Sequence, residues 1–292
     1  MSRDGILVRA LRGLLGSPKA TIAAIVCLLL FAAAILAPVL APQNPYDLGQ
    51  IDMFDARLPP GAEGYSGMTY WLGTDAQGRD MLSAMLYGLR TSLSVGVTAG
   101  VLALLVGTAL GLIAAYAGGR LDAFVMRVVD LMLGFPTILI ALMILVVFGQ
   151  GTWKVIIALV IVQWAYFARA VRGAALVEAG KDYVEAARCL GLSPARILAM
   201  HILPNCLPPL IIIGTIQVAT AIAAEATLSF LGIGLPITEP SLGLLIANGY
   251  QVLLAGQTWI SVYPGLLLLV LVFSINVVGD RLRQVLNPRL AT

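Results

Sequence analysis

KDYVEAARCLGLSPARILAMHILPN, residues 181–205, lies between two long apolar runs and carries five charges in its first sixteen residues: Lys181, Asp182, Glu185, Arg188 and Arg196. The segment reads as helix, elbow, helix. Asp182 is a good N-cap and Glu185 stands three residues later, the pattern of a capping box, so a helix is expected to run to Leu190. Gly191 then supplies the left-handed position beyond its end. Ser193 caps a second helix, and Pro194 sits in its first turn, where a missing N–H costs nothing. Pro204 marks the start of the next apolar span. A first helix of about nine residues is not stable alone in water, so packing must hold it. Ala186 and Ala187 allow close approach, with Tyr183 and Leu190 as apolar anchors. Two readings stay open on these grounds: a rigid docking element for a soluble partner, or a surface loop that links two spans.

Outward from this segment the chain is almost free of charge. Of its 292 residues 60% are hydrophobic and 11% charged, with mean hydropathy +0.95. Soluble domains run near about a quarter charged, so this is an integral membrane protein. A crossing helix needs about twenty apolar residues. Residues 20–41, 91–119 and 131–153 are uncharged throughout. The run 155–168 is completed by 170–176, with Arg169 and Arg172 snorkelling at the membrane edge. Residues 197–224 hold only His201, and 240–279 is uncharged but too long for one crossing. Its second half, 260–279, is taken as the span, and SLGLLIANGYQVLLAG (241–256) as a short re-entrant or interfacial helix.

The expected fold is therefore an all-α integral membrane protein with six transmembrane helices and both termini on one side. Residues 1–41 hold an N-terminal segment and the first helix, 42–90 a loop rich in Pro, Gly and Asp, and 91–292 a five-helix core with the charged segment 181–205. Fourteen of the eighteen Lys and Arg residues fall on the side of the termini and of 181–205. Only Arg57, Arg79, Arg90 and Lys154 fall on the other, so the first side reads as cytoplasmic. The first span exceeds the apolar core of a signal peptide and reads as retained. GILVRALRGLLG (5–16) reads either as an amphipathic surface helix or as a basic topogenic tail.

EAARCLGLSPARILAMHILPN resembles the EAA loop of ABC-importer permeases, with Glu185, Ala186, Ala187, Gly191, Leu203 and Pro204 in register and His201 where Ile is usual. HILPN resembles the form in peptide and nickel permeases. WLGTDAQGRDMLSAMLYGLRTSLSVG, RVVDLMLGFPTILIAL, EATLSFLGIGLP and the closing GDRLRQVLNPRL are similar to the same subfamily, so the resemblance covers nearly everything after residue 70. It implies the type I ABC-importer permease fold, and the second (C-type) permease subunit of a dipeptide or oligopeptide importer. It implies that 181–205 forms coupling helices seated on a cytoplasmic ATPase, through Tyr183, Glu185, Ala186, Ala187, Gly191, Ser193 and Pro194. The implied partners are a homologous B-type permease, two ATPase subunits that hold the ATP and magnesium, an external solute-binding protein and the lipid of a bacterial inner membrane. No cofactor, catalysis or nucleic acid is expected of this chain itself.

Other features weigh less. GTDAQGRD (73–80) has the glycine spacing of a P-loop, but Arg79-Asp80 replaces its Lys-Ser/Thr, so a structural turn is expected. Arg127 and Asp130 can pair along one helix face. Glu225, with Gln163 and Gln217, is a candidate for the lining of the pathway, since an intramembrane acid suggests function, although Ser229 offers it a structural partner. Import of nickel or a metal chelate is the alternative substrate reading. A proton-coupled secondary transporter is the alternative of another class, but neither an internal repeat nor a set of buried carboxylates supports it.

Overall fold

A computed structural model describes residues 6–286 apart from Leu48 and Ser66; the side chains of Ile6, Leu7 and Arg9 are also outside the description. The chain is helical almost throughout. The order is α1 (Ile6–Leu15), α2 (Pro18–Ile35), α3 (Ala37–Leu40), a small hairpin of β1 (Ala62–Glu63) and β2 (Thr69–Tyr70), and α4 (Met81–Ala117). Then come α5 (Gly119–Gly134), α6 (Thr137–Phe148), α7 (Thr152–Ala179), α8 (Asp182–Cys189), α9 (Pro194–Ile197), α10 (Leu203–Phe230), α11 (Leu242–Tyr250) and α12 (Trp259–Leu286). Five helices are long and apolar enough to cross a membrane: α2, α4, α7, α10 with its lead-in from Pro194, and α12. The bundle has a loop face, carrying residues 43–80, and an elbow face, carrying 181–205.

The sixth crossing differs from the expected uninterrupted helix over 131–153. Phe135 precedes Pro136 and is forced into extended backbone, at φ −104° and ψ 147°. The chain bends there by 92° between α5 and α6. The 12 residues of α6 are short of the about twenty a crossing needs. Taken together, the two helices have the length and composition of one broken span. Val129 of α5 packs on Ala165 and Ala168 of α7, while Ala141 and Leu145 of α6 pack on Val155, Leu159 and Leu228 toward the loop face.

Helix α4 is the spine. Its glycines let neighbouring backbones come close, the way helices associate where lipid gives no hydrophobic drive. A Cβ on Gly100 would stand 2.8 Å from Val218 of α10, and one on Gly107 2.6 Å from Phe167 of α7. The ion pairs on α7 also differ from expectation. Arg172 makes two 2.5 Å hydrogen bonds to Asp122, and Arg169 pairs with Asp130. Both arginines are tied to α5 rather than simply snorkelling. Asp130 is therefore taken by another helix, and the Arg127–Asp130 pair does not form.

Residues 240–279 divide as expected into a short helix and a crossing. Ser241 caps α11 by accepting from the Leu244 N–H, and Gly243 and Gly249 lie against the backbones of Ala226 and Ser261. The helix is thus enclosed by protein rather than by lipid.

The loop-face lobe is a polar cluster. Asp55 accepts from the Tyr70 hydroxyl at 2.9 Å and from the Tyr65 N–H at 2.9 Å. Burial, reinforced by that carboxylate, raises the Tyr70 phenol well above its ordinary range. Arg79 pairs with Asp75 at 2.6 Å, with the two side chains 4% and 0% exposed. Asp80 accepts from Ser83 N–H at 2.7 Å and so caps α4, while its own N–H donates to Gln43. Residues 73–80 thus form a turn that feeds a helix, with Gly73 and Gly78 at positive φ.

Candidate functional site

The elbow is built as one short helix and the head of one long one. Helix α8 has 8 residues and ends at Cys189 with Leu190 as its C-cap; Gly191 follows at φ +73°, the left-handed backbone the sequence asks of it. A Cβ there would meet no atom within 4 Å, so the requirement for glycine is purely one of backbone conformation. Ser193 is extended and Pro194 opens α9, but α9 is a single turn. It runs through a π-helical turn, Leu198–Ile202, straight into α10. The expected second short helix is therefore the head of a crossing helix, joined to α8 through residues 190–193.

The start of α8 also differs from the capping-box reading. Lys181, not Asp182, is the N-cap, and no side chain caps the N–H groups. Asp182 and Glu185 lie in the first turn, where their charge favours the helix through its dipole.

Burial sorts the candidate residues. Ala187 is buried, together with Val184, in a cluster that includes Val171, Ala175, Ile197 and Ile202. Tyr183, Glu185, Ala186, Gly191, Ser193 and Pro194 are exposed, and so is Leu190, at 80%. Leu190 is thus not an anchor into the bundle; Val184 does that work. Val184 was legible in principle, since it precedes Ala187 by three residues and so shares its face.

Tyr183 anchors through its hydroxyl rather than its ring. The hydroxyl donates to Glu178 at 2.6 Å and accepts from the Asn205 amide at 3.1 Å. Asn205 also donates to the His201 carbonyl at 2.8 Å. Lys181 donates to Glu178 at 2.6 Å. One phenol thereby ties α8 to the end of α7 and to the first turn of α10. Partial burial and the Glu178 carboxylate push its pKa up to about 12, so it remains a donor at physiological pH. Glu178 and Asn205 carry no sequence signal for this role, because three separate segments meet there.

The three intramembrane candidates are enclosed. Glu225 is fully buried, and accepts from Ser92 at 2.7 Å and Ser229 at 2.8 Å. Ser92 also accepts from the Leu242 N–H at 3.3 Å, so the cluster bolts the start of α11 onto α4 and α10. The Gln163 amide donates to the Gln217 carbonyl at 3.4 Å. Gln163 Oε1 and Gln217 Nε2 have no partner among the described residues. None of the three lines the apolar cavity of 860 Å3 between α2, α4, α10 and α12.

A bundle of apolar helices long enough to cross a membrane, with a glycine elbow projecting from one face, defines a polytopic membrane protein. Its relatives make the assignment specific. Residues 107–292 match the family described as the inner membrane component of binding-protein-dependent transport systems, and the chain belongs to that family. Residues 6–60 match the N-terminal transmembrane domain of oligopeptide transport permease C, which extends the likeness to the first span. The chain is 36% identical to the oligopeptide transport system permease protein OppC of Bacillus subtilis, over 91% of this chain and 86% of that one. It is also 36% identical to the di/tripeptide transport system permease protein DppC of Pseudomonas aeruginosa, over 90% and 86%. An inward-facing structure of the MetNI methionine ABC transporter shares the fold, with a TM-score of 0.58 at 22% identity over 71% of this chain and 98% of that chain.

Proposed function

We propose that this chain forms half of the translocation pathway of an ATP-driven importer of short peptides in a bacterial inner membrane. A homologous B-type permease supplies the other half, two ATPase subunits dock on the elbow face, and a solute-binding protein docks on the loop face. The elbow carries this reading: α8 is fixed to the bundle by Val184, Ala187 and Tyr183, joined to α10 through Gly191, and turns Glu185, Ala186 and Leu190 outward. Such a lever suits a partner that pushes from outside the membrane. ATP, magnesium and hydrolysis belong to the ATPase partners, and this chain needs no cofactor. The peptide relatives favour peptide over nickel or a metal chelate, and membership of a binding-protein-dependent family disfavours proton-coupled secondary transport.

The orientation has a test in the native sequence. Cys189 is exposed on the elbow, while Cys206 is buried and Cys27 lies within a span. With the ATPase subunits stripped from the membrane, a membrane-impermeant thiol reagent should label Cys189 in inside-out vesicles and spare it in intact spheroplasts. The opposite result removes the docking reading. Uptake of labelled dipeptide and of nickel by the reconstituted complex, with its binding protein, decides the substrate class.

A further inference from the structure

Helix α1 does not continue into the first crossing. Ser17 is extended, at φ −133° and ψ 114°, and separates α1 from α2. The helix lies instead against the last turns of α12. Gly13 sits against Val285, and Arg281 Nε donates to the Gly13 carbonyl at 2.9 Å. That places a cation beside the last turn of α1, where free carbonyls and the helix dipole favour one. Ala10, Gly13 and Leu14 are half-buried on this side.

A second apolar stripe lies elsewhere on the same helix. Val8, Leu11 and Leu15 are 40%, 60% and 72% exposed, at the spacing of one helical face. Exposed Arg12 borders the stripe, and exposed Lys19 follows it in the first turn of α2. Beyond the bend the chain continues into exposed Ile22, Ile25 and Leu29, on a helix long and apolar enough to cross a membrane. Residues 1–19 carry Arg3, Arg9, Arg12 and Lys19 against one acid, Asp4. Near the end of α12, Asp280 is outnumbered by Arg281 and Arg283.

We propose that α1 lies in the headgroup layer of the leaflet at the elbow face and binds anionic phospholipid. Val8, Leu11 and Leu15 enter the acyl boundary, and Arg12 and Lys19 sit among the phosphates. The long basic side chains bordering the stripe can reach the headgroups while their stems lie along apolar surface. A single row on a ten-residue helix suits a lipid boundary better than a stable protein interface, which buries about 800 Å2 on each side. The lipid surface then holds α1, and through Arg281 and Val285 the end of α12. This inference stands on the membrane fold and does not depend on the substrate.

The test uses the assembled complex with its native cysteines replaced by serine and Leu11→Cys carrying an environment-sensitive fluorophore. The complex is placed in phosphatidylcholine vesicles with or without phosphatidylglycerol, each containing a lipid with a shallow quencher. Strong quenching is expected with phosphatidylglycerol and weaker quenching without it. Arg12→Glu with Lys19→Glu should reduce quenching in the charged vesicles to the uncharged level, since each basic residue near an anionic surface strengthens binding about fivefold. A probe at Leu15→Cys repeats the measurement without touching Leu11, and co-purification of the partners shows that each variant assembles. A probe that the lipid quencher does not reach overturns the proposal, whether water or another protein covers the stripe. Equal quenching in both vesicle types, unchanged by the charge reversals, overturns the anionic requirement.

Discussion

At the loop face, Asp75 and Arg79 are buried against each other and Asp55, Asp80 and Gln43 each hold a neighbouring segment by name. At the elbow face, Asp182, Glu185 and Leu190 point outward, and one phenol, two apolar side chains and the Arg188 guanidinium over the Tyr116 ring hold α8 in place. The loop-face lobe satisfies its polar groups internally and is built to keep one shape. The elbow satisfies only its inner side, which suits the docking proposed for it. Damage to the lobe should therefore show as lost assembly, and damage to the elbow as lost coupling in an assembled complex.

The largest effect is expected at the loop face. Arg79→Ala leaves Asp75 buried and unpaired, and breaking a buried pair from one side costs about 3–5 kcal/mol. The complex should then fail to assemble or melt far earlier, as read by size-exclusion yield and thermal melting. Full assembly with normal melting would mean that the lobe is not the rigid member of the comparison.

Next comes Gly191→Val. No atom obstructs the new side chain, so the cost is backbone strain alone, about 1–3 kcal/mol. Assembly and binding-protein docking should survive, while stimulation of ATP hydrolysis by the loaded binding protein should be lost. Gly191→Asn, which tolerates positive φ, should restore much of it. Normal stimulation in Gly191→Val would reduce the elbow to a linker.

How far the sequence could be read follows the same division. Gly191, Pro194 and the run Glu185–Ala186–Ala187 were legible because local backbone rules and a short motif determine them. The break at Pro136 could have been read from the residue before it, yet unbroken hydropathy over 131–153 argued for a straight span. The Asp122–Arg172 and Asp130–Arg169 pairs were not legible, since i,i+3 spacing points Arg127 at Asp130 and only the tertiary fold brings in α7. Glu225 was visible as an acid in a span, and Ser229, four residues on, as its partner; Ser92 was not, since it comes from α4, 133 residues away. Tyr183 was visible as an aromatic, and its use through the hydroxyl needed three segments to meet.

Tyr183→Phe sharpens that last point. It keeps the ring and removes the bonds to Glu178 and Asn205, worth about 1 kcal/mol at a partly exposed site. Stimulated hydrolysis should fall severalfold while basal hydrolysis and assembly hold. A phenol whose pKa is raised from 10.0 to about 12 contributes stability that is fully present below 10 and lost as pH climbs toward 12. Coupling in the wild-type complex should therefore show no step from this latch between about pH 6 and 9. A step in that window that disappears in Tyr183→Phe would assign the titration to the latch and contradict the raised pKa.

The smallest effect on stability belongs to Glu185→Ala, and it carries the most information about the partner. Glu185 is exposed, and no side chain, its own included, caps the N–H groups of α8. Removing it costs α8 only a favourable charge in its first turn, and such surface changes stay within about 0.5 kcal/mol. A capping-box acid would have cost more and confused the result. The melting temperature of the purified complex should hold, so any fall in stimulated hydrolysis or uptake reports a contact that Glu185 makes beyond this chain. Glu185→Gln separates charge from shape: if the partner reads the charge, glutamine should fail as alanine does, and if it reads a hydrogen-bond acceptor, glutamine should recover part of the loss. Unchanged stimulation in both variants would move the gripping contact to the apolar side of the same surface, where Leu190 stands most exposed, and Leu190→Ala would become the decisive substitution.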